Sequence, residues 1–385
     1  MMDRRQFLKG SAGALLGMHL AACATEQKAV KGLEQTVASS SINFPKLADS
    51  KIQPPENGCY VGFRKVYAVL GGAQKEREEN DRFNKALAQV KDFEENERIS
   101  KPLLDALKPQ MISNINKNIT DYENSLGAKP SLFVLYETPR LWAKFPEREC
   151  EAVISKGVIP FIYAGIQVRN PKLSLQVDDI AKGKHDKYIA RFAEGANQFG
   201  EKHGGFFITT MEEMNANWYF WGQTSKFKEA WQRIWNTFED KGANRFATWV
   251  WEPYCPDATY SKNVISPNMM YPGDKNVDWI GLSAFARRGL TYNSFESSVS
   301  RTYESMIKLH PDKPIIQAEF AATNDYGQAK WIENAFKAIK SMPGMKAAVY
   351  RDIYNMSVND DNALNDQSIT ALSKILKDPY FIMAK

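Results

Sequence analysis

The chain has 385 residues, 43% hydrophobic and 25% charged, an ordinary globular balance that allows a sizeable core. Its length suits one domain of about 250 residues with insertions. The net charge is +5, but the Lys and Arg residues are not clustered into a basic stripe. The pattern therefore argues against a nucleic-acid-binding protein.

The first 22 residues predict an export signal that is not part of the fold. Arg4 and Arg5 begin the run RRQFLKG, which has the twin-arginine form of a bacterial signal. The apolar stretch that follows is too short to span a bilayer, which needs ~20 apolar residues. It closes on Leu-Ala-Ala-Cys, which resembles a lipobox, so we expect twin-arginine export and a lipid anchor on Cys23. Ala24 after this cysteine favours the outer membrane, on its periplasmic or cell-surface side.

Residues 23–51 are polar and small, and they predict a tether that leads to a folded domain of residues 52–385. Beyond Cys23 there are three cysteines, Cys59, Cys150 and Cys255, with neither CxxC spacing nor an even count. They predict neither a disulfide framework nor a zinc site. The sequence has no HExxH, no GxSxG and no Gly-rich phosphate loop, so we expect no metal and no organic cofactor.

Short apolar runs alternate with helical periodicity along this domain, which is typical of βα units. Eight such units with near-continuous apolar strands predict an α/β fold, a closed (β/α)₈ or TIM barrel. The charged stretch Gln74–Lys129 is too long for one crossover and predicts a helical insertion after the first strand. The predicted strands are Cys59–Val66, Ser131–Glu137, Val158–Gly165, Gly205–Glu213, Arg245–Pro253, Val277–Phe285, Pro314–Phe320 and Met345–Ile353.

Two glutamates close predicted strands, at the barrel face where chemistry occurs. Glu319 ends the apolar run PIIQAEF of the seventh strand, where an ionisable group must be paired or used. Glu213 ends the fourth strand and is followed by aromatic and amide side chains, which suit the apolar faces and hydroxyl rims of sugars. Two carboxylates across a barrel mouth suit a retaining glycosidase, in which one protonates the leaving oxygen and the other attacks the sugar carbon.

The sequence resembles glycoside hydrolase family 26, which includes β-mannanases. The resemblance covers Gly58 to Ile353 and rests on the combination of EEMNANWYFWG, TWVWEP, YPGDKNVDWIGLS and KPIIQAEFA. It implies that Glu213 is the general acid/base and Glu319 the nucleophile. It also places Trp249 and Trp251 at the inner and mouth positions of the fifth strand. The substrate-binding residues implied are Asn215, Trp218, Trp221, Trp251, Tyr163, Phe285 and Tyr350.

Several positions differ from the family pattern. They are Thr209, Glu212, Ser283, Phe285 and Tyr350, where relatives usually have Arg, His, Asp, Tyr and Trp. Phe285 cannot donate a hydrogen bond to the nucleophile as tyrosine does. Glu212 either replaces the hydrogen bonds of the histidine or adds a charge, and alternation along a strand would point it away from Glu213. The changed surroundings predict a substrate other than plain β-mannan.

Three functions remain open. Retention of Glu213 and Glu319 favours a retaining endo-β-glycanase that acts on an extracellular or periplasmic polysaccharide. The replacements at Glu212 and Phe285 favour a non-catalytic polysaccharide-binding lipoprotein for exopolysaccharide assembly or export. A third hypothesis is other carboxylate chemistry on the same barrel, because a fold does not fix a function. We expect a monomer with a polysaccharide as its partner.

Overall fold

The computed structural model describes residues 42, 44–65, 93–137, 144–166, 175–256, 261–286, 294–324, 327–355 and 360–385. Residues 42–385 form one compact unit. The predicted signal, the predicted lipidation site Cys23 and most of the predicted tether lie outside the described residues. Within the described part of the chain, no helix is long and apolar enough to cross a membrane.

Eight parallel strands form a closed barrel, which confirms the predicted fold. Consecutive strands pair from β1 to β8, and β1 also pairs with β8 from Tyr60↔Ala347 to Lys65↔Asp352, which closes the sheet. The strands are β1 (Cys59–Lys65), β2 (Leu132–Glu137), β3 (Ile159–Ala164), β4 (Phe206–Thr209), β5 (Ala247–Trp251), β6 (Trp279–Ala286), β7 (Ile315–Ala322) and β8 (Met345–Asp352). Three two-residue strands follow, β9 (Tyr354–Asn355), β10 (Asp360–Asp361) and β11 (Phe381–Ile382).

Helices surround the barrel. The α-helices are α1 (Phe93–Leu126), α2 (Glu147–Ile154), α3 (Val177–Ala181), α4 (Asp186–His203), α5 (Phe227–Asp240), α6 (Phe295–Leu309), α7 (Gln328–Ser341) and α8 (Asp366–Ile375). A 3₁₀ helix, Ala243–Arg245, precedes β5. In its described residues the connection from β5 to β6 has no α-helix but three 3₁₀ helices, Ser261–Asn263, Pro267–Met270 and Asp274–Asn276.

Helix α1 is the described part of the predicted helical insertion. It buries Met111, Ile115, Ile119 and Tyr122, which recur every three or four residues and therefore share one face. The ring of Tyr122 stacks on Phe63 of β1, with the ring centroids 4.3 Å apart. This contact packs α1 against the outer face of the barrel.

Side chains on the strands alternate between an inner and an outer apolar layer. On β5, Val250 lies in the inner layer, so its neighbours Trp249 and Trp251 face outward. Trp249 packs against Trp231 and Phe238 of α5, at 5.6 and 5.0 Å between ring centroids. The prediction that Trp249 occupies an inner position is therefore wrong.

Residues 44–52 lie against the N-terminal end of the barrel, although most of them are predicted to belong to the tether. The ammonium of Lys51 is 2.7 Å from a carboxylate oxygen of Asp278, and both side chains are largely buried. The backbone N–H of Ile52 donates to the hydroxyl of Thr248, near the start of β5, at 2.9 Å. The folded domain thus begins ten residues earlier than predicted, because this segment covers the bottom of the barrel.

The three cysteines after Cys23 are free thiols. Cys59, Cys150 and Cys255 are all buried in the apolar core. Burial raises the pKa of the Cys59 thiol well above its usual range, which keeps it protonated and unreactive.

Candidate active site

Glu213 lies on a turn four residues beyond β4, and not on the strand as predicted. β4 ends at Thr209, and Met211 and Glu213 have φ angles of +50° and +53°. This left-handed conformation costs a non-glycine residue roughly 1–2 kcal/mol. The N–H of Glu213 donates to the carbonyl oxygen of Glu252 at 2.7 Å, which holds the strained turn against the end of β5.

Both carboxylate oxygens of Glu213 accept hydrogen bonds. Nε1 of Trp218 donates to Oε2 at 2.6 Å, and the hydroxyl of Ser283 donates to Oε1 at 2.7 Å. An indole N–H can only donate, whereas a hydroxyl can donate or accept. When Glu213 is protonated, the proton therefore belongs on Oε1, beside Ser283.

A β-bulge in β7 turns Glu319 into the barrel. The pairing of β6 with β7 skips one residue at Ala318 and makes Ser283 the Cα partner of Glu319. Because Ile316 faces inward, simple alternation would point Glu319 outward, and the extra residue reverses its direction. Glu319 thereby forms an ion pair with Arg64 of β1, across the interior of the barrel.

Arg64 lies among aromatic rings at the end of β1. Its guanidinium carbon is 4.6 Å from the ring centroid of Tyr136 and 5.5 Å from that of Tyr163. The side chains of Arg64 and Glu319 are only 18% and 9% exposed. Two charges buried to this extent depend on each other, since removal of one leaves the other unpaired.

Glu212 is a third glutamate at the mouth. Strand alternation does not apply to it, because β4 ends at Thr209. Oε1 of Glu212 accepts a 2.6 Å hydrogen bond from Tyr136 of β2, whereas Glu213 points towards β6. Burial raises the pKa of Glu212, although the hydroxyl of Tyr136 acts in the opposite direction. Glu212 thus has a hydrogen-bond partner of its own, as the sequence analysis allowed.

Glu252, immediately after β5, is a fourth glutamate and is missing from the predicted site. It is 0% exposed. Burial raises its pKa well above the usual range, and the neighbouring charges of Glu212 and Glu213 raise it further. The signal was present in TWVWEP, because a glutamate that closes a buried apolar run is the feature that also marks Glu319.

The side chains of Asn215 and Trp221 are buried and hydrogen-bonded within the protein, and their role in substrate binding stays a prediction. Both ends of the Asn215 amide are occupied by the backbone of Tyr254, at 2.9 and 2.8 Å. Trp221 is buried, stacks on Tyr219 at 4.3 Å, and donates to the carbonyl oxygen of Glu212 at 2.8 Å. These residues shape the loop after β4.

Trp251 and Tyr350 face away from the interior of the barrel, and their role in substrate binding also stays a prediction. Trp251 packs nearly perpendicular to Tyr271, with the ring centroids 5.0 Å apart. Tyr350 packs against Phe320 at 5.4 Å, between β8 and the surrounding helices. In both strands the alternation of inner and outer positions puts the aromatic ring in the outer layer.

Three of the predicted substrate-binding residues lie at or just below the mouth. Trp218 is half-buried beside Glu213. Phe285 has the guanidinium of Arg351, the inward-facing residue at the end of β8, 5.6 Å from its ring centroid. Tyr163 is 1% exposed and lies beneath Arg64.

In the described part of the chain, the mouth therefore brings together four glutamates, one of which is paired with Arg64. Carboxyl groups are chemically able to transfer a proton, and carboxylates are able to act as nucleophiles. In the residues that the structure describes, no group of three or more His, Cys, Asp and Glu is arranged to hold a metal ion.

The sequence profile of glycosyl hydrolase family 26 matches residues 170–385. Endoglucanase H from Acetivibrio thermocellus is 29% identical over an alignment of 177 residues, which covers 42% of this chain, and the chain spans only 19% of that relative's length.

Solved structures share the fold at low identity. A GH26 β-mannanase from Bacteroides ovatus is 15% identical with a TM-score of 0.56, and the match covers 85% of this chain and 91% of that one. The GH26 domain of an endo-β-mannanase/endo-β-glucanase from Prevotella bryantii is 13% identical with a TM-score of 0.54, over the same shares of the two chains. Because the family profile matches more than half of the sequence, the chain belongs to glycosyl hydrolase family 26.

Proposed function

We propose that this protein is a retaining endo-β-glycanase that hydrolyses a polysaccharide through a glycosyl-enzyme intermediate. The observation that carries the proposal is the convergence of Glu213 and Glu319 on Ser283, which donates to Glu213 and is the Cα partner of Glu319. Neighbouring strands lie about 4.8 Å apart. Retaining glycosidases need their two carboxyl groups ~5–5.5 Å apart, which this arrangement favours.

In the first step Glu319 attacks the anomeric carbon of the sugar. The glycosidic C–O bond breaks as the ester bond to Glu319 forms, and Glu213 gives its proton to the leaving oxygen. The proton comes from Oε1, because the indole N–H of Trp218 already occupies Oε2. Arg64 balances the charge of Glu319 until the sugar arrives.

In the second step a water molecule attacks the same carbon and the ester bond breaks. Glu213 now accepts a proton from the water, so it acts as acid and then as base. The hydroxyl of Ser283 suits both states, because it donates to the carboxylate and accepts from the carboxylic acid.

One observation favours the alternative of a non-catalytic polysaccharide-binding protein. The ion pair with Arg64 occupies the carboxylate that must attack, and Phe285 supplies no hydrogen bond to it. A sugar-binding barrel keeps such a pair closed permanently, whereas an enzyme must open it when substrate binds.

Product release from a polysaccharide panel separates the two functions. The panel contains β-mannans and β-glucans, since the relatives are named β-mannanase and endoglucanase, together with β-1,3-xylan and exopolysaccharide. Glu319→Ala is compared with the native domain, and Glu333→Ala, at an exposed position of α7, is the matched control. We expect cleavage by the native and control proteins and none by Glu319→Ala. Binding without cleavage of any polymer contradicts the enzyme proposal.

The stereochemistry of the first product tests the mechanism. Proton NMR of the newly formed reducing end, recorded before mutarotation, should show the configuration of the substrate. A 2-fluoro glycoside of the cleaved sugar should add one glycosyl mass to a peptide that contains Glu319. Inversion of configuration would rule out the covalent intermediate.

We also propose that the protein is exported by the twin-arginine route, anchored through a lipid on Cys23, and monomeric. The run RRQFLKG and the Leu-Ala-Ala-Cys sequence support the first two features. Labelled palmitate should enter the native protein and not Cys23→Ala, and Arg4→Lys with Arg5→Lys should retain the protein in the cytoplasm. Analytical ultracentrifugation should give a particle mass no larger than that of one chain of 385 residues.

A further inference from the structure

The carboxyl group of Glu252 is buried in the barrel interior, and neither of its oxygens has a hydrogen-bond partner of regular geometry in the described part of the chain. The hydroxyl of Tyr163 is close enough to lower the pKa of this carboxyl group, against the larger effect of burial. The side chain fits there because Gly281 of β6 leaves the space open: a Cβ at this glycine would lie 2.9 Å from the Cβ of Glu252. A carboxylate buried without donors is strongly unfavourable, so the arrangement suits the protonated acid.

Tyr163 of β3 is the hydroxyl neighbour of Glu252. Its single hydrogen is used, because its hydroxyl donates to the carbonyl oxygen of Ala318 at 3.2 Å. The oxygen of Tyr163 can still accept a hydrogen bond. A protonated Glu252 supplies that bond, which creates a chain of hydrogen bonds from β5 through β3 to β7.

This chain ends at the bulge that turns Glu319 into the mouth, since Ala318 is the extra residue of β7. We propose that Glu252 is a positioning residue: as a neutral carboxylic acid it donates to Tyr163 and, through Tyr163, fixes the Ala318 carbonyl and the direction of Glu319. The inference rests on the proposed role of Glu319 as nucleophile.

Ionisation of Glu252 would disrupt this arrangement in two ways. The hydrogen of Tyr163 would turn from Ala318 to the new carboxylate, and another negative charge would lie below the reacting glutamates. The titratable or charged groups that act on Glu252 in the described part of the chain are Arg64, Tyr163, Glu212 and Glu213. Of these only Arg64 is a cation, so little opposes the added charge. Activity should therefore decrease as pH rises and Glu252 loses its proton.

Infrared spectroscopy tests the protonation state without any substrate. The difference spectrum between the native domain and Glu252→Gln at neutral pH should contain the C=O stretch of a protonated carboxylic acid. This readout keeps the inference separate from the proposed function, because it does not depend on turnover. A difference spectrum with only carboxylate bands would overturn the proposal.

Steady-state kinetics test the positioning role. Glu252→Leu should lower kcat by about tenfold or more with little change in KM, because one hydrogen bond in the chain is lost. Glu252→Gln, whose amide also donates to Tyr163, should recover most of that kcat and extend the active range to higher pH. An equal loss of kcat in both variants, or no loss of kcat in Glu252→Leu, contradicts the proposal.

If Glu252→Leu does not fold, Tyr163→Phe removes a different member of the same chain of hydrogen bonds. It should reproduce the loss of kcat, and its crystal structure should show Glu319 turned away from Arg64. An unchanged Glu319 in that structure would also overturn the inference.

Discussion

The hydroxyl of Ser283 donates a 2.7 Å hydrogen bond to Oε1 of Glu213. Ser283 is also the Cα partner of Glu319 across β6 and β7. One small side chain therefore binds the proposed acid/base and lies beside the proposed nucleophile. A hydroxyl group can donate to the carboxylate in one step and accept from the carboxylic acid in the other.

Ser283→Ala should lower kcat by about 10- to 100-fold, because a hydrogen bond to a charged group contributes about 1.5–3 kcal/mol. KM should change little, since the bond is made to the acid and not to the sugar. Ser300→Ala, which removes only a bond to a carbonyl oxygen within α6, is the control. Unchanged kcat in Ser283→Ala would show that Trp218 alone holds Glu213.

Arg64→Met should lower the free energy of unfolding by about 3–5 kcal/mol, because it leaves Glu319 buried and unpaired. The double variant Arg64→Met with Glu319→Gln should recover most of this loss, since no charge is then left without a partner. Urea denaturation of the four proteins gives the coupling energy. Lys330→Met, from an exposed pair on α7 with side chains 75% and 46% exposed, should cost less than about 1 kcal/mol. Additive effects at Arg64 and Glu319 would contradict the pairing.

Asn215→Ala should act on stability rather than on catalysis. It leaves the buried N–H of Tyr254 without an acceptor, which should cost roughly 1–3 kcal/mol. Trp218→Phe should have the opposite effect, with the melting temperature retained and kcat lowered, because the lost hydrogen bond goes to Glu213. Thermal denaturation and kcat, measured on both variants, distinguish the two roles. A stable Asn215→Ala protein with raised KM would instead support the prediction that Asn215 binds substrate.

The stability of the native domain relative to Glu252→Gln should decrease as pH rises above about 4.5. Burial raises the pKa of Glu252 in the folded protein, so the unfolded chain loses the Glu252 proton at lower pH than the folded chain does. Between the two pKa values the folded chain binds more protons, and a rise in pH therefore favours unfolding. The loss is at most about 1.4 kcal/mol per pH unit, up to the pKa of the folded state. Glu252→Gln lacks this contribution, so its stability relative to the native domain should increase between about pH 5 and about pH 7. A constant difference in urea denaturation over that range would mean that Glu252 is ionised in the folded protein.

Removal of residues 42–52 should lower the free energy of unfolding by about 1–3 kcal/mol, mainly because partly buried Leu47 and Ile52 leave the inner apolar layer. The ion pair of Lys51 with Asp278 is lost as well. Removal of residues 1–41, which lie outside the compact unit, is the matched control and should leave the melting temperature unchanged. Equal melting temperatures for both truncations would show that the segment does not support the barrel.

The sequence by itself determined the elements of the fold. Apolar runs place the eight strands within a few residues of their observed bounds, and helical spacing predicts that helices alternate with them. These features are local: for α6, Ser294 caps the helix by accepting from the N–H of Ser297 at 3.1 Å. The same local patterns place Glu213 just after β4 and Glu319 in β7, although Glu213 lies on a turn and not on the strand.

The tertiary structure alone decided which side chains meet at the mouth. Strand alternation has a period of two, so a single extra residue at Ala318 reverses the direction of Glu319, and pairing with β6 sets where that residue falls. The same alternation turns Trp251 and Tyr350 outward. Arg64 and Glu252 come from strands far apart in sequence, and only closure of the barrel brings them together. Local composition does not encode such contacts, because they depend on register between distant strands.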